Sequence, residues 1–334
     1  MPAGELTVLV PHLPALVRAA AEHVPTPALD RIFSLGDTLP AGAATTDRLL
    51  MSLFGLGGDE AAPAAALCRL ADGDLLPGDQ RHFLRLDPVT ACADLARVIV
   101  TRHGFEGFDQ SEREAIGTVI ETCLAAEGID ARRGSGDYWT FVLAECLPFE
   151  FAALEEALGA DSAEVLPEHA EARRWRRVLN ELQVMLHNNR VNATRAGRGL
   201  PQINSVWLWG GGSLPRPSAQ CPFTSVHSSN PFTRGLALLH GCALPEFHPG
   251  DTAAAPATGG TLVEWAVQAA DPVAEMASLE KLAAGLLRRS EQEKLVVRIR
   301  HGQGRGREYR RRHALRFWRS HRTLREHLSG MATP

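Results

Sequence analysis

The run from Asn192 to Gly212, NATRAGRGLPQINSVWLWGGG, gathers the side chains best suited to hold an anion. Arg195 offers a forked guanidinium, and Asn192 and Asn204 offer amides on either side of it, a set that matches a phosphate or a carboxylate. Ile203–Trp209 has the composition of a strand, continuously apolar from Val206 to Trp209, as in a strand covered on both faces. Gly210, Gly211 and Gly212 then let the chain turn with backbone N–H groups exposed, one way in which proteins hold anions. In α/β sheets, ligands sit beyond the carboxyl ends of the strands. The same residues also describe a tight strand exit in which Asn192 and Asn204 bond local backbone, and spacing alone favours this second reading. The glycines form neither a P-loop, since no Gly-Lys-Ser/Thr follows, nor a GxGxxG motif, since Ser213-Leu214-Pro215 comes next.

Metal-dependent chemistry would need a set of converging carboxylates and imidazoles. The candidates are Asp87 at the end of the strand-like Phe83–Leu86, His248 and Asp251 in the loop segment HPGD, and Asp271 after the strand-like TLVEWAV. Asp87 precedes Pro88 and equally suits the cap of a following turn. The histidines show no HxxxH or HExxH spacing, the cysteines no CxxC pair, and no GxSxG elbow is present. Cys68, Cys92, Cys123, Cys146, Cys221 and Cys242 are therefore expected to be reduced and structural.

The elements that must position these residues are legible from periodicity. Trp175, Val178, Leu179, Leu182, Met185 and Leu186 share one face of a helix expected over 168–189. Arg173, Arg174, Arg176 and Arg177 surround Trp175, the composition of a solvated face whose stems cover apolar surface. Ser111 and Glu114 fit a capping box ahead of the stripe Ile116, Val119, Ile120 and Cys123. A strand is expected to stop at Asp87-Pro88, where proline removes a donor. Strands alternating with helices imply an α/β protein, a mixed sheet flanked by helices, with a helical N-terminal region and a basic C-terminal β-hairpin. At 334 residues the chain suits two domains, divided here as an α/β region over 1–165 and a second region over 166–334 that ends in the hairpin.

The pattern N-x-x-R-x-x-x-G-x-P-x-x-N-S-x-W-L-W-G-G-G from Asn192 to Gly212 resembles a bacterial family of predicted cofactor-independent phosphoglycerate mutases that includes RpfE-like regulatory proteins. LDPV at 86–89, LNELQVMLHNN at 179–189, NPFTRGLALLHG at 230–241 and LRFWR at 315–319 look like the same family. That family is distantly similar to archaeal-type mutases of the alkaline phosphatase superfamily, which work with two metal ions and a serine nucleophile. The resemblance implies that Asn192, Arg195, Gly199 and Asn204 lie near an anionic substrate. It also implies an opening strand that ends in Asp-Gly and a C-terminal Asp-His pair. This chain has Val10-Pro11-His12 at the first place and no Asp-His pair. The expectation is a catalytically degenerate, regulatory relative with no cofactor, binding a small phosphorylated or carboxylate ligand or a protein partner. An active mutase or phosphatase using a divalent metal such as Mn is the alternative, with Asp87, His248, Asp251 and Asp271 converging.

From Arg288 to His327 fourteen Lys and Arg face four Asp and Glu, although the net charge of the whole chain is −4. This basic segment suits a nucleic-acid surface, an edge hairpin guarded against mispairing, or a dock for the acidic remainder of the chain; of these, nucleic-acid binding is not favoured. No apolar run is long enough to span a membrane and the first residues lack a signal-peptide pattern, so a cytoplasmic protein is expected.

Overall fold

The computed structural model describes residues 4–20, 22–57, 61–94, 97–245, 259–265, 271–302 and 304–329. Its strands are β1 (Glu5–Val10), β2 (Asp37–Leu39), β3 (His82–Asp94), β4 (Arg97–His103), β5 (Ala131–Arg133), β6 (Trp139–Leu143), β7 (Ser205–Gly212), β8 (Phe223–His227), β9 (Gly260–Glu264), β10 (Val296–His301) and β11 (Arg305–Tyr309). They divide between two compact units, Met1–Asp59 with Pro217–Pro334, and Glu60–Arg216. The expected division at 165/166 lies inside the second unit. The first unit takes strands from both ends of the chain, and composition along a sequence carries no mark of such a return.

The first unit is a six-stranded sheet in the order β2-β11-β10-β1-β9-β8. β1 lies parallel to β10 and β9, and β9 lies parallel to β8, while β11 runs antiparallel to both of its neighbours, β10 and β2. Leu6 to Val10 are all buried, as a central parallel strand requires. The helices Leu13–Ala20, Pro27–Leu35 and Pro272–Glu293 cover the sheet. Their Leu16, Ile32, Met276, Leu279 and Leu286 form one core with Val8, Val10, Val297 and Ile299. The basic hairpin is β10 and β11, turned through Gly302 and Gly304 at positive φ.

The second unit is antiparallel: β3 pairs with β4, β6 and β7, and β6 pairs in turn with β5. β3 does not end at Asp87-Pro88 but continues to Asp94. Along one edge it pairs with β6 as far as Leu86 and with β4 from Val89 onward, and Pro88 sits at the changeover. The Pro88 carbonyl accepts from Gly104 N–H, so the missing donor faces that changeover and the ladder to β7 runs on through Pro88↔Val206. The expected long helix is Ala172–His187, with Trp175 stacked on Phe141 at 5.5 Å between ring centroids. The capping box lies two residues ahead of the expected one. Asp109 accepts from Glu112 N–H and Glu112 accepts from Asp109 N–H, while Ser111 Oγ donates to Asp109. An ionised Asp is as good an N-cap as Ser.

The chain is thus of the α/β class, with a mixed sheet in the first unit, an antiparallel sheet in the second, and helices flanking them.

Candidate functional site

The side chains singled out ahead of β7 lie together in the second unit, and their polar atoms are engaged by the chain itself. Asn192 is 1% exposed. Its Nδ2 donates to the carbonyls of Leu186 and Ile203, and its Oδ1 accepts from Ile203 N–H. One amide thereby ties the end of the Ala172–His187 helix to the approach of β7. Arg195, 2% exposed, donates through Nε to Pro201 O and through Nη1 to Gly107 O and to Glu112 Oε2 at 2.7 Å. Its guanidinium lies 3.5 Å from the centroid of the Phe108 ring. Asn204 Oδ1 accepts from Ala91 N–H and its Nδ2 donates to Ala91 O, both at 2.8 Å. The side-chain amide imitates a peptide group and prolongs the β3–β7 ladder past Val89↔Ser205, where β3 becomes irregular.

The glycines have a packing reason. Gly210 has φ +64°, and a Cβ there would stand 2.6 Å from the Ala64 Cβ; at Gly212, φ +137°, it would stand 3.1 Å from Pro63. The start of the helix Ala64–Ala71 thus lies against the end of β7 where only glycine fits. At Gly211 a Cβ would be in ordinary contact with Leu84, at 3.4 Å.

Asp87 also belongs to the second unit. Its oxygens accept from Arg85 Nε and Nη2 at 2.7 Å each, and Trp209 Nε1 donates to Oδ2. Arg85 lies between aromatic faces, 4.2 Å from the Tyr138 centroid and 4.9 Å from that of Trp209. Tyr138 in turn donates to Asp72 at 2.6 Å, and burial pushes its phenol well above the usual tyrosine range. Asp271, in the first unit, caps the helix Pro272–Glu293, its Oδ1 accepting from Val273 and Ala274 N–H. His248 and Asp251 lie outside the described residues. Among the described residues no group of three or more His, Cys, Asp or Glu is placed to hold a metal ion.

One polar cluster escaped the sequence reading. At the carboxyl ends of β8 and β9 in the first unit, Ser228 Oγ donates to Glu264 Oε2 at 2.6 Å and Asn230 Nδ2 donates to Oε1 at 3.0 Å. Ser228 and Glu264 are 5% and 4% exposed. Asn230 also caps the helix Pro231–Leu239 through Phe232 N–H. The signals were an acid inside the apolar run TLVEW and an Asn-Pro helix start.

The basic segment folds back on acids of its own unit. Arg298 bonds Glu5 and Glu308, Arg310 bonds Glu308, Arg316 bonds Asp37 and Arg325 bonds Glu22. The Arg298 contact holds the Glu5 carboxyl below its usual range, as Arg316 does for Asp37. These pairs fit the reading of the segment as a dock for acidic parts of the chain. Phe317 and Trp318 remain on the surface, 90% and 68% exposed. No helix among the described residues is long and apolar enough to cross a membrane.

No protein-family model matches the chain, and no curated protein matches it. Solved structures do. PH0037 from Pyrococcus horikoshii is 14% identical over 92% of this chain and 86% of its own, with a TM-score of 0.49. A cofactor-independent phosphoglycerate mutase from Thermoplasma acidophilum DSM 1728 is 15% identical over 93% of this chain and 90% of its own, with a TM-score of 0.45. At such identities neither carries its activity over to this chain.

Proposed function

We propose that the chain is a catalytically degenerate, phosphoglycerate-mutase-like protein that binds a small anionic ligand, or through it a protein partner, in a regulatory role. The observation that carries this reading is the engagement of Asp87. Both of its oxygens accept from the Arg85 guanidinium and one also from Trp209. A carboxylate in that position is neutralised and geometrically closed, and recruiting it to a cation would leave Arg85 buried without its counter-ion. Asp271 is likewise occupied by two backbone N–H groups, and Glu264 by Ser228 and Asn230. Metal-pair chemistry requires several free carboxylates or imidazoles facing one point, and these donors do not fit it.

Phosphoryl transfer also needs anion-stabilising groups that are free to meet the transferring oxygens. Arg195 is not free, because three acceptors surround it and Phe108 covers its face. Interconversion of 2- and 3-phosphoglycerate by the purified full-length chain, assayed with Mn²⁺ by phosphorus NMR, tests the reading. No conversion is expected, while saturable binding of small anions is; conversion sensitive to a chelator sinks it.

A further inference from the structure

A cavity of about 170 Å³ lies in the second unit between the Ala172–His187 helix and the sheet strands β3, β4 and β7. Arg176, Asn180 and Gln183 line it from one helix face at spacings of four and three residues. Ser205 and Trp207 of β7 and Val100 of β4 form the opposite wall. Gln183 Nε2 donates to Ser205 Oγ at 3.0 Å, which closes one side. Trp207 and Val100 are buried, at 3% and 2% exposure. The Arg176 guanidinium is fixed by its Nη2 donating to the Pro167 carbonyl. Among the described residues Nε and Nη1 of Arg176 have no partner, and none of the residues lining the cavity is acidic.

We infer that this cavity binds a small monocarboxylate with an apolar body, the carboxylate meeting Arg176 and Asn180 and the body lying on Trp207 and Val100. This deepens the reading of the chain as a ligand-binding protein and rests on it. Size and charge select the class. A dry cavity of about 150 Å³ accepts a benzene-sized guest, so this one suits a body of that order. A single guanidinium matches a single negative charge. A phosphate ester carries about −1.5 to −2 at neutral pH, and the excess would rest against apolar walls without a second cation. An amino acid would bring an ammonium group with no carboxylate in the lining to receive it.

Benzoate and 4-methylpentanoate, their amides, and inorganic phosphate are titrated into the full-length chain by calorimetry, with the Trp207 indole N–H resonance followed by NMR. Saturable binding of the two acids with movement of that resonance is expected, with the amides and phosphate at least about tenfold weaker, as loss of one charge-assisted hydrogen bond implies. Arg176→Met is expected to weaken benzoate by a similar factor, and Asn180→Leu, at an exposed helix position, by a smaller one. Phosphate binding in preference to benzoate overturns the assignment. So does benzoate binding that ignores both substitutions or leaves Trp207 unmoved, and so does the absence of any acid binding. Failure of the underlying reading shows separately, as turnover in the phosphoglycerate assay.

Discussion

Arg85 and Asp87 stand two residues apart on one face of β3 and close a two-point ion pair, 2.7 Å at each point, with the Arg85 side chain 12% and the Asp87 side chain 7% exposed. Tyr138 and Trp209 close over the guanidinium, so the pair is screened from water by aromatic rings. Breaking a buried pair from one side leaves the other charge uncompensated, at a cost of about 3–5 kcal/mol. Asp87→Asn is therefore expected to lower stability in urea by about that amount, equally in Mn²⁺ and in EDTA. A loss that appears only with Mn²⁺ present would show that Asp87 serves a cation.

Arg195 distinguishes an architectural role from a ligand-binding one. Arg195→Lys keeps the charge but cannot reach Pro201 O, Gly107 O and Glu112 together. Two lost bonds to part-buried acceptors imply a destabilisation of about 1–3 kcal/mol by chemical denaturation. An Arg195→Lys protein as stable as the parent, but weaker for anions, would assign Arg195 to a ligand.

Gly210 and Gly199 form an internal control. Both have positive φ, but a Cβ at Gly199 meets nothing within 4 Å, whereas at Gly210 it meets Ala64 at 2.6 Å. Gly199→Ala is expected to cost about 1–2 kcal/mol for the left-handed backbone alone. Gly210→Ala adds overpacking of about 1–3 kcal/mol. Equal midpoints for the two variants in urea would remove the close approach of the Ala64–Ala71 helix as the reason for the glycine.

His301 ends β10, 2% exposed against Phe33, and burial, then Arg305 and Arg307, push its imidazole down to about 4. The unfolded chain titrates near 6.5. Its contribution is complete above that value, and stability falls as pH drops from about 6.5 toward 4, because only the unfolded state then takes up the proton. The loss is about 3 kcal/mol by pH 4, at 1.36 kcal/mol per unit. His313 and His327, also lowered by burial, act in the same direction. His301→Phe is expected to flatten the slope of unfolding free energy against pH over this interval without abolishing it, and an unchanged slope would place the titration elsewhere.

How far the fold was legible depended on whether its determinants were local. The helix Ala172–His187 was readable because its apolar stripe repeats at helical spacing over about three turns. The β10–β11 hairpin was readable because glycines separate two alternating runs. The course of β3 through Pro88 was not readable, since it depends on two different partners meeting at that residue. The anion reading of Arg195 rested on residue type. Type does not reveal that Gly107 and Glu112, more than eighty positions earlier, supply its acceptors. Ser228 and Glu264 were hidden for the same reason, as an acid in an apolar run states its need for a partner but not the partner's address.

The most direct test of the loss of turnover is a single experiment on the full-length chain with Mn²⁺ and 3-phosphoglycerate, followed by phosphorus NMR over many hours and repeated with Asp87→Asn. The account predicts an unchanged substrate spectrum for both proteins. Appearance of 2-phosphoglycerate or inorganic phosphate with the parent chain, abolished by Asp87→Asn under conditions where that variant stays folded, would contradict it.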